Sequence, residues 1–425
     1  MKAILIAAAT SGAGKTTLTL ALLTALRRAG HAPRSLKLGP DYIDPAFHAA
    51  ATGRDAMNLD PWAMSPDLQS QLLSGDSPLI IESAMGLFDG AGLAGAGSAA
   101  EVARRFDLPI LLIVDCARAA HSVPALVEGI TQHKPGLRFH GLILNNVGSD
   151  RHAALLHAAF ARSNCPRVLA TLSRDPTLAL PSRHLGLVQA AETDALETRL
   201  QAMADWLTAA VSPETLLAEA PDPQPTGAKL TPPAQRIAIA KDAVFSFTYP
   251  HLLTQWRSMG AEIRPFSPMA NELAPDADLI ILPGGYPELH AGQIATNKTF
   301  LNSLRNAAEH TDIYGECGGY MVLGDSLTDA DGTRHQMAGL LSVDTSFATR
   351  KLTLGYRTVN ATKGPFAGTH AAHEFHYSTV TREEGTPLFT ATDADDTPLP
   401  PMGLIQGRVS GSYAHIIAQK PPLSS

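Results

Sequence analysis

Ala3-Ile4-Leu5-Ile6-Ala7-Ala8-Ala9-Thr10-Ser11-Gly12-Ala13-Gly14-Lys15-Thr16, near the start of the chain, decides how its first half is read. A short apolar run with the character of a buried β-strand passes into a loop of small residues, and then into a helical pattern over Leu18–Arg28. Small residues let backbone N–H groups converge on phosphate oxygens, and the helix N-terminus adds its positive dipole end. Gly12, Gly14, Lys15, Thr16 and Thr17 are therefore the candidate ATP-binding residues, with Lys15 reaching the β/γ phosphates and the Thr16 hydroxyl holding Mg²⁺. Ala9 stands where the strict pattern has glycine. A glycine-rich turn without a ligand is the plainer reading, and the flanking strand and helix weigh against it.

Outward from that loop, short apolar runs alternate with helical patterns: Leu79–Ile81 then Ala99–Phe106, Ile110–Val114 then Val123–Gln132, and Leu142–Leu144. Such βα alternation implies a mostly parallel sheet covered by helices. The strand Leu79–Ile81 ends in Glu82-Ser83-Ala84-Met85-Gly86-Leu87-Phe88-Asp89-Gly90, which sets Glu82 where open α/β sheets place their ligands. Glu82 joins Thr16 as a candidate Mg²⁺ ligand, against the alternative of a solvated strand-end carboxylate. Lys37-Leu38-Gly39-Pro40-Asp41-Tyr42-Ile43-Asp44-Pro45 puts a cation, two acids and two prolines in one loop, a composition that most often marks an ordinary turn.

Six prolines, at 213, 221, 223, 225, 232 and 233, break the rhythm over 212–235 and exclude a regular helix or central strand. That stretch is expected to link a domain over 1–211 to a second over 236–425, where strand and helix patterns resume at Arg236–Ala240, His251–Met259, Leu279–Leu282 and Thr299–His310. Two domains suit 425 residues. A net charge of −7 with mixed signs lacks the footprint of a nucleic-acid or anionic-membrane binder. Three cysteines suit a reducing compartment and no disulfide framework, no run is long and apolar enough to span a membrane, and the N-terminal run lacks a cleavage site. A cytoplasmic small-molecule enzyme is expected.

Ile313-Tyr314-Gly315-Glu316-Cys317-Gly318-Gly319-Tyr320-Met321 reads as strand, sharp turn, helix, the cysteine form of a nucleophile elbow. The following helix is expected to lower the thiol pKa. Leu282-Pro283-Gly284-Gly285-Tyr286 offers bare backbone N–H groups, so Gly285 and Gly318 are the candidate oxyanion donors. The base is one of 16 histidines. His415, His373 and His376 are candidates, and spacing does not choose among them.

These motifs carry a resemblance. The elbow Gly-Glu-Cys-Gly-Gly-Tyr-Met, Pro-Gly-Gly-Tyr-Pro-Glu-Leu, His373-Glu374-Phe375-His376-Tyr377-Ser378 and Ser412-Tyr413-X-His415 resemble the cobyric-acid type of class I glutamine amidotransferase domain. Lys-X-Gly-Pro-Asp-Tyr-Ile-Asp-Pro and Glu-X-X-Met-Gly-Leu-Phe-Asp-Gly resemble the dethiobiotin-synthetase-like domain of the cobyrinic or hydrogenobyrinic acid a,c-diamide synthase family. The resemblance implies two α/β domains, an N-terminal P-loop parallel-sheet domain and a C-terminal flavodoxin-like amidotransferase domain. It implies ATP·Mg²⁺- and glutamine-dependent amidation of the a and c acetates of a corrin-ring polycarboxylate. Cys317 takes the nucleophile role and His415 the base role, Asp41, Tyr42 and Ile43 align with the loop around the corrin carboxylates, and Glu82 and Asp89 with the acidic pair near phosphate and metal. An acyl phosphate, a thioester on Cys317 and a protected ammonia path between domains follow from the same likeness, and a homodimer fits it. Related glutaminases often carry a carboxylate two residues after the base, where this chain has Ile417, so another acceptor must orient His415. The competing readings are the same chemistry on another tetrapyrrole such as a nickel sirohydrochlorin, the later corrin amidation of a cobyric acid synthase, and a regulatory or partitioning ATPase with a non-catalytic amidotransferase-like module.

Overall fold

The computed structural model describes residues 1–183 and 186–420. The chain divides into two compact units, Met1–Ala228 and Lys229–Ser425. In the first, β1 (Lys2–Ala8), α1 (Lys15–Arg28), β2 (Arg34–Leu38), α2 (Asp44–Thr52), β3 (Met57–Leu59), α3 (Pro66–Leu73), β4 (Leu79–Glu82), α4 (Ala99–Arg105), β5 (Ile110–Asp115), α5 (Val123–His133), β6 (Phe139–Val147), α6 (Asp150–Phe160) and β7 (Val168–Ser173) alternate along the chain. The short pair β8 (Ser182–Arg183) and β9 (Gly186–Leu187), then α7 (Leu196–Thr208) and β10 (Ala218–Glu219), complete it.

The main sheet runs β3-β2-β4-β1-β5-β6-β7 and is parallel throughout. Ile4, Leu5, Ile6, Leu79, Ile80 and Ile81 at its centre have no exposed surface beyond 0%, because a parallel strand covered on both faces is apolar at consecutive positions. In register, Glu82 pairs with Ile6 on one side and Lys37 on the other. The C-terminal ends of β1, β2 and β4 thereby bring the small-residue loop, Lys37 and Glu82 to one edge of the sheet.

The proline-rich stretch expected as a linker over 212–235 is built largely onto the first unit. Pro213–Leu216 forms a 3₁₀ turn, and β10 pairs antiparallel with β1 at Lys2 and Ala3. That early edge of β1 is available because β5 pairs only from Leu5 onward. Further on, Thr226 Oγ1 donates to the Asp67 carbonyl and Gly227 N–H to Gln71 Oε1. Prolines exclude a central strand but not a two-residue edge pairing followed by side-chain anchors.

The second unit opens with β11 (Arg236–Ala240), α8 (Pro250–Ser258), β12 (Glu262–Phe266), β13 (Leu279–Leu282), α9 (Ala291–Thr296), α10 (Lys298–Ala307), β14 (Asp312–Glu316) and α11 (Gly318–Leu323). The ten elements that follow are all strand: β15 (Ser326–Thr328), β16 (Arg334–Gln336), β17 (Val343–Ser346), β18 (Thr353–Ala361), β19 (Gly368–His376), β20 (Thr379–Glu383), β21 (Thr386–Thr392), β22 (Pro398–Gln406), β23 (Val409–Ser412) and β24 (His415–Gln419). The main sheet follows the order β12-β11-β13-β14-β23-β22-β21-β18-β19-β24. It is parallel from β12 to β23 and antiparallel beyond. A smaller sheet, β16-β15-β17-β20, stands beside it.

Candidate active site

In the first unit, α1 begins at Lys15 directly after Gly14, whose φ of 97° no side chain tolerates easily. A carbon on Gly14 would also stand 2.3 Å from Asn145 Nδ2, which donates to the Ala13 carbonyl at 2.9 Å and braces the loop. Lys15 is buried, and burial followed by the neighbouring Lys37 pushes its ammonium pKa down. Its Nζ lies 3.4 Å from the Thr10 carbonyl, longer than a good hydrogen bond. A buried cation held so loosely is suited to an incoming anion.

Glu82 is fully buried and meets three donors. Thr16 Oγ1 donates to its Oε1 at 2.7 Å, Lys37 Nζ to the same oxygen at 2.7 Å, and His48 Nε2 lies 2.8 Å from Oε2. Ser35 Oγ holds the other side of the His48 ring at 2.7 Å. Burial works against the Glu82 carboxylate, yet Lys37 and His48 outweigh it and hold its pKa below the usual carboxylate range. Lys37 also pairs with Asp44 at 2.5 Å, and the carboxylates keep it protonated despite burial. Burial, with Asp41 adding, lifts the Asp44 carboxyl to about 6 against the pull of Lys37.

The expected site residues are not equally placed. Thr16 and Glu82 meet, and Asp89 lies close enough to act on the Lys15 charge while accepting the Gly86 N–H at 2.9 Å. Asp41 Oδ1 is engaged by the Ile43 and Asp44 N–H groups at 2.7 and 3.0 Å, so this carboxylate shapes the turn into α2. Ile43 is buried there, and Tyr42 is half-buried. Among the described residues no group of three or more His, Cys, Asp or Glu has the arrangement of a metal cluster. Two hard oxygens from Thr16 and Glu82 beside a phosphate loop suit magnesium, which uses one or two protein ligands with the phosphates.

In the second unit, Cys317 follows β14 and precedes α11, with φ 48° and ψ −103°. Non-glycine residues avoid this backbone region, and the Cys317 N–H bond to the Ser412 carbonyl at 2.8 Å helps to hold it there. Packing leaves no room around the turn. A carbon on Gly319 would lie 1.8 Å from the Leu282 carbonyl oxygen, and one on Gly318 would lie 3.1 Å from Gly285 N. The two candidate oxyanion amides are thus neighbours.

The expected lowering of the thiol pKa is overruled. Burial, with Glu288 adding, pushes the Cys317 thiol far up, while the Gly318 N–H pulls only weakly the other way. A six-residue helix at a buried site does not offset the desolvation of a thiolate. The Cys317 thiol is therefore held in its protonated form at neutral pH.

Of the three histidines, His415 lies beside Cys317. The point where a carbon on Gly284 would sit is 3.0 Å from His415 Nε2 and 3.3 Å from Cys317 Cβ. Burial, with His373 and His376 adding, lowers the His415 pKa to about 3, so its ring is neutral at pH 7. His373 faces His415 across the β19–β24 ladder and packs on Tyr356 at 5.3 Å. His376 is occupied at both nitrogens, with Glu374 Oε1 at 3.0 Å and the Ser378 carbonyl at 3.1 Å, and stacks on Tyr413 at 3.8 Å. Glu374 is in turn held by Arg357 at 2.9 Å. Sequence reading missed Asn145, His48, Ser35 and the Arg357–Glu374 pair, since each acts through residues remote in the chain.

Residues 4–188 match the CobQ/CobB/MinD/ParA nucleotide binding domain, and residues 236–422 match the CobB/CobQ-like glutamine amidotransferase domain. A hydrogenobyrinate a,c-diamide synthase of Brucella abortus biovar 1 (strain 9-941) is 50% identical over 432 residues, covering 98% of each chain. The chain belongs to the hydrogenobyrinate a,c-diamide synthase family. Members from Rhodobacter capsulatus and Rhizobium meliloti (strain 1021) are each 48% identical over 98% of this chain and 99% of their own. Among solved structures, a glutamine amidotransferase aligns with 37% of this chain and 80% of its own at 15% identity and a TM-score of 0.26. As a member of this diamide synthase family, the protein is a glutamine-dependent, amide-forming ligase with a nucleotide-binding P-loop domain. No helix among the described residues is long and apolar enough to cross a membrane.

Proposed function

We propose that the protein amidates the a and c acetate carboxylates of hydrogenobyrinate, the cobalt-free ring, using ATP, Mg²⁺ and glutamine. The names of its full-length relatives support this choice of ring over cobyrinate, a nickel sirohydrochlorin or a later corrin intermediate. The observation that carries the chemistry is the Cys317 elbow with His415 Nε2 beside it. A protonated, buried thiol next to a neutral imidazole is a nucleophile and base ready to act together. This disfavours a regulatory ATPase with an inert second module.

In this reading His415 takes the thiol proton, Cys317 attacks the glutamine amide, and Gly285 and Gly318 N–H groups hold the oxyanion. His415 then protonates the departing ammonia, and water clears the thioester. In the first unit Gly12, Gly14 and Thr17 cradle phosphate, Lys15 steadies the γ-phosphate, and the substrate carboxylate attacks it, releasing ADP and giving an acyl phosphate from which ammonia displaces phosphate to leave the amide. Thr16 and Glu82 would hold Mg²⁺, which when bound supplies charge neutralisation at the phosphates. Lys37 and His48 keep Glu82 ionised for that role. In the same reading Asp89 and the loop bearing Asp41, Tyr42 and Ile43 would meet the corrin carboxylates, with Asp41 acting by shaping the turn. The free thiols of all three cysteines suit a cytoplasmic setting.

The test is incubation of purified protein with ATP, Mg²⁺ and glutamine against hydrogenobyrinate or cobyrinate. A mass change of two amidations on hydrogenobyrinate is expected. Turnover of cobyrinate alone would overturn the choice of ring.

A further inference from the structure

We infer that Glu316, the residue immediately before the nucleophile, is the positioning carboxylate of His415. Its Oε2 lies 3.6 Å from His415 Nδ1, and its Oε1 accepts the N–H of Ile416 at 3.1 Å. Both oxygens are thus directed at the start of β24, on the Nδ1 edge of a ring whose Nε2 lies 3.0 Å from the point a carbon on Gly284 would occupy, itself 3.3 Å from Cys317 Cβ. An imidazole that takes a proton at Nε2 must carry its own proton at Nδ1, and a carboxylate there fixes that tautomer and steadies the imidazolium. Ile417, at the position where related glutaminases place an acid, is apolar and buried, and its carbonyl is engaged by His251 Nε2 at 2.8 Å. A separation of 3.6 Å exceeds a hydrogen bond, and catalytic contacts of this kind tighten when substrate arrives.

Burial lifts the Glu316 carboxyl to about 8, so its acceptor form gains ground as pH rises through that value. The titratable groups around it are His415 on β24, Tyr314 and Cys317 along its own strand end, and Tyr249 before α8, which lines a small apolar cavity with it. His373, His376, Glu374 and Glu288 lie one layer further out, acting on His415 and Cys317.

The inference rests on the reading of Cys317 and His415 as the glutaminase pair. Glu316→Gln keeps the side-chain shape and the acceptor for Ile416 N–H, but it offers an NH₂ group to Nδ1. The ring proton then moves to Nε2 and blocks the thiol, as in the protonated acid. Glutamate release, normalised to ammonia-dependent synthesis by the same preparation, is expected to fall on the order of 10²- to 10⁴-fold in kcat. The KM for glutamine should stay within about threefold, the mark of an interaction made mainly in the transition state. The rise of kcat/KM near pH 8 should vanish. Glu316→Asp should restore part of the rate, and ¹⁵N-histidine spectra recorded above pH 8, where Glu316 is ionised, should show His415 as Nδ1–H in the wild type and as Nε2–H in the Gln variant. A Gln variant with wild-type kcat and pH profile overturns the inference, as do equal losses in both variants with an unchanged His415 tautomer. Cys317→Ser separates the cases: undiminished glutamate release there sinks the pair itself, whereas its loss beside a normal Glu316→Gln enzyme removes only the role of Glu316.

Discussion

At Gly284 the backbone passes within one methyl group of the His415 ring. Gly284→Ala would place a carbon 2.3 Å from His415 Cε1 and displace the imidazole. Glutamine-dependent amidation should then fall on the order of 10²-fold, the loss expected for a misplaced general acid–base group, while ammonia-dependent amidation continues. Wild-type glutamate release by that variant would mean that the ring does not work from where it lies. The low pKa of His415, about 3, makes a second expectation. Its imidazole is already neutral at pH 5, so kcat/KM for glutamine should show no limb near the ordinary histidine value of about 6.5. Such a limb, centred between pH 5 and 7 and distinct from the Glu316 rise near pH 8, would assign the base to a more exposed histidine. The phosphate loop and the elbow were legible in the sequence because each is contiguous, its chemistry set by backbone and glycine placement. The contact of Lys37 with Glu82 was not legible, because it depends on the register of β2 against β4. Nor was that of Glu316 with His415, whose strands are not neighbours in the sheet. Composition alone left the Asp41 loop open between an ordinary turn and a substrate loop, and the two N–H groups on its carboxylate show only how the turn is held.

Strands expose a different limit. β22 contains Pro398, Pro400 and Pro401, residues that argue against a strand between two neighbours. Its proline half, however, pairs with β21 alone, because β23 meets only Leu404–Gln406, and the register slips between Phe389 and Ala391, opposite the proline pair. Alternation that is interrupted in this way carries little signal, which is why the antiparallel half of the second unit was hidden and its βα half was not. The side sheet is tied by Asp344, whose carboxylate accepts from Arg382 at 2.8 Å, Arg334 at 3.0 Å and Ser326. Burial raises that carboxyl, but these bonds win and hold it at about 2. A depressed folded-state pKa means that the stabilisation is present above the ordinary aspartate value and is lost as pH falls toward 2. Asp344→Asn should cost about 1–3 kcal/mol at pH 7, the usual worth of hydrogen bonds to a charged group. The difference in melting temperature from wild type should shrink as the solution is acidified; a constant difference would deny the charge any part in it.

For the whole molecule, the two reactions should separate by substitution. Cys317→Ser should abolish amidation from glutamine and spare amidation from ammonia, since only nitrogen release needs the thiol. Lys15→Ala should stop both, because carboxylate activation precedes nitrogen attack whatever its source. Product formation by Lys15→Ala at the wild-type rate, followed by mass spectrometry, would remove ATP activation from the first unit. The division into two α/β units was legible from the restart of the βα pattern at Arg236. The ordered path of the proline-rich stretch was not, because its anchors are partners in β1 and α3 rather than any local pattern.

That path matters while the chain is being made. The antiparallel pairing of β1 with β10, and the bond of Met1 N to the Ala220 carbonyl, join positions up to 219 residues apart. On the ribosome the lower edge of β1 stays unpaired until β10 has emerged, long after the rest of the first sheet has been synthesised. An open strand edge invites foreign pairing, and transiently exposed edges are where large proteins misassemble. The first unit is therefore closed last by the segment that leads into the second, and translation pausing before Ala218 would prolong the interval in which nascent chains can cross-pair.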